Sequence, residues 1–134
     1  MRYLAIDHGR KRTGLAICDP SETIVSPFAV LDNPKNLCSQ IADIVKTESV
    51  EAVVVGLPLN MDGSQGSQAK LVLAFAEQFK KCIDIPVYFQ DERLSTFWAE
   101  EKFAELKLSR KEKQKRLDAV AAAQILENFL SSEL

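Results

Sequence analysis

Three short apolar runs succeed one another before any helical spacing appears, and this order constrains the fold more than any other feature of the chain. RYLAID at 2–7 and TGLAICD at 13–19, joined by the turn-forming DHGRKR, predict a β-hairpin. IVSPFAVL at 24–31 predicts a third strand ending at Asp32, where Asn33 can cap a helix and Pro34 suits its first turn. The pattern then alternates. Leu37, Ile41, Ile44 and Val45 recur at helical spacing, EAVVVGLPL reads as a strand buried on both faces, and the loop NMDGSQGSQ leads into a helix over KLVLAFAEQFKKCI. PVYFQ predicts a fifth strand, STFWAEEKFAEL a helix, and LDAVAAAQILENFL a closing helix free of glycine and proline. The expected order, βββαβαβα and a final helix, implies an α/β fold: a mixed five-stranded sheet, antiparallel at its start, flanked by helices.

The 134 residues suit one domain over 1–134, with no internal repeat, linker or low-complexity segment. No apolar run approaches the roughly 18 residues of a membrane span, and MRYLAIDHG has no apolar signal core, so a protein neither exported nor in a membrane is expected. Cys18, Cys38 and Cys82 are odd in number and far apart, which argues against a disulfide framework or zinc site and for a reducing, cytoplasmic setting. The formal net charge of −2 does not itself favour a polyanionic partner. Its distribution does: residues 102–116 carry seven basic side chains against Glu105 and Glu112, on an otherwise acidic body. Such a segment suits phosphate contacts, though a solvated helix face has the same look.

Acidic residues carry the candidate chemistry. Asp7 falls at the carboxyl end of the first strand, where open α/β sheets collect ligands. Asp91 and Glu92 end the fifth strand, and because neighbouring strand residues face opposite ways, only one looks into a shared site. Asp118 shares a helical face with Ala121, Ala122, Ile125 and Phe129, so it points toward the core. Carboxylates buried together repel and lose hydration unless a cation or matched hydrogen bonds compensate. Hard oxygen ligands suit Mg2+ or Mn2+, which together with in-line displacement would hydrolyse phosphodiesters without a catalytic histidine. The only histidine is His8, to which no role is attached. Each acid has a blander reading too. Asp7 with Gly9 could serve the turn, Asp118 could be a helix N-cap, and Asp91 and Glu92 could pair with Arg93 or nearby lysines. Ser109 and Glu112 match a capping box that would start the helix earlier, and the residues leave its start open.

Four segments, IDHGRKRTGLAICD at 6–19, VVVGLPLNMDGS at 53–64, DERLST at 91–96 and LDAVAAAQIL at 117–126, resemble in this order the YqgF (RuvX) family. Its members are described as Holliday-junction resolvases and have been assigned a pre-16S ribosomal RNA nuclease role. The resemblance implies an RNase H-like, RuvC-like fold, with Asp7, Glu92 and Asp118 at the acidic active-site positions as metal ligands for Mg2+ or Mn2+, and Glu92 rather than Asp91 facing the metal. Gly9, Arg12 and Gly14 match its first motif, where glycine permits close backbone approach and Arg12 could hold a phosphate or orient a carboxylate. Arg93, Lys111 and Lys113 join Gly9 and Arg12 as expected substrate contacts. Precursor rRNA is the expected substrate, structured DNA its competitor, and ribosome-assembly partners are compatible with the resemblance.

Two further readings compete. A phosphotransferase of the actin and sugar-kinase superfamily also carries a DxGxxxxG hairpin, but binds nucleotide between two such domains where this chain supplies one. A non-catalytic nucleic-acid-binding module would need the basic segment and not the acids.

Overall fold

The structure, a computed structural model, describes residues 1–92 and 110–132, the latter with side chains from Leu117 onward. Five strands form one sheet: β1 (Tyr3–His8), β2 (Thr13–Cys18), β3 (Val25–Leu31), β4 (Ala52–Leu57) and β5 (Val87–Asp91). The helices are α1 (Leu37–Thr47), α2 (Ser67–Lys80) and α3 (Arg110–Ser132). The sheet order is β3-β2-β1-β4-β5, with β1–β2 and β2–β3 antiparallel and β1–β4 and β4–β5 parallel. The expected mixed sheet with an antiparallel start is what forms. The helix expected over 95–106 lies outside the described residues. Pro27, which has no N–H to donate, sits in edge strand β3 beside a register shift between Leu15 and Ala16.

Strand alternation divides the core in two. Leu4 and Ile6 of β1, Leu15 and Ile17 of β2, and Val53 and Val55 of β4 pack with Leu37, Ile41 and Val45 of α1 and Val72, Phe75 and Phe79 of α2. On the other face, Tyr3, Ala5, Ala16, Cys18, Ala52 and Val54 meet Ala122, Ala123, Ile125, Leu126 and Phe129 of α3. The second face is built largely from small residues, so the α3 backbone comes close to the sheet. One expectation fails locally. α1 is capped at Asn36, not Asn33, and Asn33 adopts a positive φ of 50°. Its side chain is occupied instead by the β1–β2 hairpin, donating to the Gly9 carbonyl at 2.8 Å and accepting from the Thr13 hydroxyl at 2.6 Å.

Candidate active site

Asp7 continues the Tyr3, Ala5 alternation of β1 and so faces α3 at the carboxyl edge of the parallel strands. Its partner across the hairpin is Gly14, and Gly56 lies in the same layer of β4, one residue beyond the Ile6–Val55 pairing. Both glycines leave gaps that other groups fill. A Cβ on Gly14 would collide with the carbonyl oxygen of Asp118, so glycine there lets α3 lie against β2. A Cβ on Gly56 would stand 2.7 Å from Glu92 Oε2 and would also collide with Ile125 Cδ1. Glu92 follows directly after β5 and is anchored by its backbone N–H to the Leu57 carbonyl at 3.2 Å. Two missing side chains on either side of Asp7 therefore seat the other two acids.

The Asp7 and Glu92 side chains hydrogen-bond each other. Burial raises the pKa of Glu92, and the charges of Asp7 and Asp91 and its hydrogen bond to Asp7 raise it further. Asp7 is also raised, by burial and by the charge of Asp118, while accepting from Glu92 works the other way. Burial and mutual repulsion thus push both carboxyls toward the protonated form, and they meet through a hydrogen bond. Asp118 is held differently. Arg12 Nε donates to Asp118 Oδ2 at 2.6 Å, with the two side chains 29% and 20% exposed. Asp118 lies inside α3, well after its start at Arg110, so it is not an N-cap.

Among the described residues, no group of three acidic, histidine or cysteine side chains is drawn together tightly enough to enclose an ion. The Asp7 and Glu92 carboxyls are in hydrogen-bond contact, Asp118 is near enough for its charge to act on Asp7, and Arg12 pairs with Asp118. The donors are all hard oxygens, and their burial leaves negative charge that a divalent cation would compensate, so the residues present fit Mg2+ or Mn2+.

Gly9 begins the turn between β1 and β2, its N–H donating to the Arg12 carbonyl at 2.9 Å. Arg12 orients a carboxylate, one of the two functions open to it in the sequence. Arg93 lies outside the described residues, as do the side chains of Lys111 and Lys113. His8 points to the opposite face, stacked on Phe75 with ring centroids 4.2 Å apart. Thr13, fully buried, gives its hydroxyl hydrogen to Asn33 and so accepts from His8 Nδ1 at 3.0 Å, which places the ring proton on Nδ1. Burial lowers the His8 pKa, keeping the ring neutral. The roles of Gly56, Thr13 and Asn33 go beyond what the sequence patterns indicate. A glycine closing the apolar run VVVG is the signal that could have exposed the first. The hydrogen bonds of the other two span elements and leave no local pattern.

The fold is similar to that of the fowlpox virus Holliday junction resolvase, with a TM-score of 0.61 at 16% identity over 100% of both chains. Thermus thermophilus RuvC in complex with Holliday junction substrate matches with a TM-score of 0.61 at 17% identity, over 99% of this chain and 96% of that one. The fold is therefore RNase H-like, of the RuvC type. Within it, a family profile, RuvX, described as Holliday junction resolvase, matches residues 1–132. A relative from Roseiflexus sp. named "Putative pre-16S rRNA nuclease" is 40% identical over 134 residues, 98% of this chain and 95% of its own length. One of the same name from Anaeromyxobacter sp. is 43% identical over 132 residues, 97% and 96% of the two lengths. The chain belongs to the RuvX family.

Proposed function

We propose that the protein is a cytoplasmic nuclease that hydrolyses phosphodiester bonds of nucleic acid with the help of a divalent metal ion, and that it trims the 5′ end of precursor 16S rRNA during ribosome assembly. The observation that carries this reading is the buried Asp7–Glu92 carboxyl pair with Asp118 beside it, at the edge of the sheet where α/β proteins collect ligands. Asp7, Glu92 and Asp118 would hold Mg2+ or Mn2+. Bound there, the ion would supply charge stabilisation for the in-line displacement and lower the pKa of water.

The chain's own groups do the rest. Asp7 is fixed by its place in a central strand, and Glu92 by its backbone bond to Leu57. Both carboxyls would serve the ion as anionic ligands, the cation offsetting the burial and repulsion that push their pKa values up. Arg12, at the mouth of the site, offers its fork of N–H donors to a substrate phosphate, with Gly9 giving that backbone room to approach. Arg93, Lys111 and Lys113 would extend phosphate contacts beyond the site. The names of the full-length relatives support precursor 16S rRNA as substrate.

The description of the family favours a second reading, resolution of four-way DNA junctions. A side-by-side assay decides between them: precursor 16S rRNA fragment and four-way DNA junction, each with Mg2+, Mn2+ or chelator. Metal-dependent cleavage of the RNA alone is the expected result. Cleavage of the junction alone would move the assignment to DNA, and binding of either without cleavage would favour a non-catalytic module.

A further inference from the structure

Asp118 is paired with the guanidinium of Arg12 in a partly buried contact of 2.6 Å. Arg12 is itself set rigidly. The residue after it, Thr13, is fully buried in β2 and bonded to Asn33, and its own carbonyl accepts from Gly9 N–H. Asp118 is equally constrained, because the α3 backbone at this residue fills the gap over Gly14. With both backbones held by these contacts, rotation of the side chains is the simplest way for the ion pair to open.

We propose that Arg12 couples substrate binding to metal loading: its guanidinium occupies Asp118 in the free protein and releases it when a substrate phosphate takes the guanidinium over. A phosphate oxygen and the Asp118 carboxylate compete for one fork of donors, and arginine suits both. A carboxylate matched by arginine is a poorer ligand for a cation than a free one. Phosphate on Arg12 therefore raises the affinity for the ion, and by reciprocity the ion raises the affinity for phosphate. The free enzyme is kept under-loaded, and the complete site assembles around substrate. This rests on the reading of Asp7 and Asp118 as ligands given above.

The test is Mn2+ affinity, measured by calorimetry without nucleic acid, for the wild type and for Arg12→Gln, Arg12→Lys, Arg10→Gln and Asp7→Asn. Arg10 is a control for general charge, since it lies in the same hairpin but bonds to Ser67 at 3.2 Å. Arg12→Gln is expected to bind Mn2+ about fivefold more tightly or better, with Arg12→Lys between it and the wild type and Arg10→Gln unchanged. Binding of a fluorescent precursor 16S fragment, with Ca2+ added or withheld, should gain less from Ca2+ in Arg12→Gln than in the wild type. Equal Mn2+ affinity in Arg12→Gln and wild type, or equal tightening in Arg12→Gln and Arg10→Gln, overturns the coupling while leaving the metal site intact. Mn2+ binding that Asp7→Asn leaves unaltered overturns the metal site itself, and the coupling with it.

Discussion

Gly14 and the backbone of Asp118 occupy touching positions: the hydrogen that glycine carries in place of a side chain is what lets α3 place an acid beside Asp7. Gly14 is also the cross-strand partner of Asp7, so a single residue spaces two members of the candidate site. Gly14→Ala must push α3 off the sheet. It is expected to destabilise the protein by about 1–3 kcal/mol, as overpacking does, and to reduce cleavage well beyond what the lost stability explains. Thermal melting and cleavage rates measured below the melting transition check both; unchanged activity would show that Asp118 needs no such placement.

Gly56→Ala tests the other gap. The added methyl meets the Glu92 carboxylate and Ile125, so Glu92 is displaced while the Arg12–Asp118 pair is left alone. Cleavage is expected to fall on the order of 100-fold, with nucleic-acid affinity close to wild type. A loss of affinity in place of rate would contradict the assignment of Glu92 to the reacting centre.

The Asp7–Glu92 pair makes stability depend on pH in a definite direction. Glu92, ordinarily near 4.5, is pushed up to about 9 in the folded protein, so between those values the folded state holds a proton the unfolded state lacks. This contribution is fully present below about pH 4.5 and is lost as pH rises toward 9. In chelator, the wild type should therefore lose stability relative to Glu92→Gln by up to about 1.4 kcal/mol per pH unit through that window. Denaturant melts of both proteins at pH 5.5, 7 and 8.5 measure it. Parallel pH profiles would show that the carboxyls do not share a proton.

Thr13→Val removes the hydroxyl that joins His8 to Asn33, leaving the Asn33 carbonyl oxygen and His8 Nδ1 without their partner. A cost of about 1–3 kcal/mol is expected, with Thr13→Ser recovering most of it. Equal melting temperatures for the valine and serine variants would contradict it.

Much of this arrangement is legible in the sequence, because strand and helix periodicity are local. RYLAID, TGLAIC and EAVVVG mark their strands through apolar residues that must be buried, and Asp7 at the end of the first falls where the parallel edge puts it. The spacing from Asp118 to Ala122, Ile125 and Phe129 correctly turned that acid inward. Asn33 has a real capping propensity, but its side chain donates to the Gly9 carbonyl of the hairpin and the cap falls at Asn36. The pairing of Arg12 with Asp118 could not be read at all. The residues stand 106 positions apart, and only the close approach over Gly14 makes them neighbours.

The most direct test of the site is cleavage of a precursor 16S rRNA fragment by the wild type and Asp7→Asn, at equal concentration, in Mg2+ and in chelator. The wild type should cleave only with Mg2+, and Asp7→Asn, folded by circular dichroism, should be slower by more than about 100-fold. Cleavage by Asp7→Asn at the wild-type rate, or wild-type cleavage undiminished in chelator, would contradict a metal-dependent centre built on this aspartate.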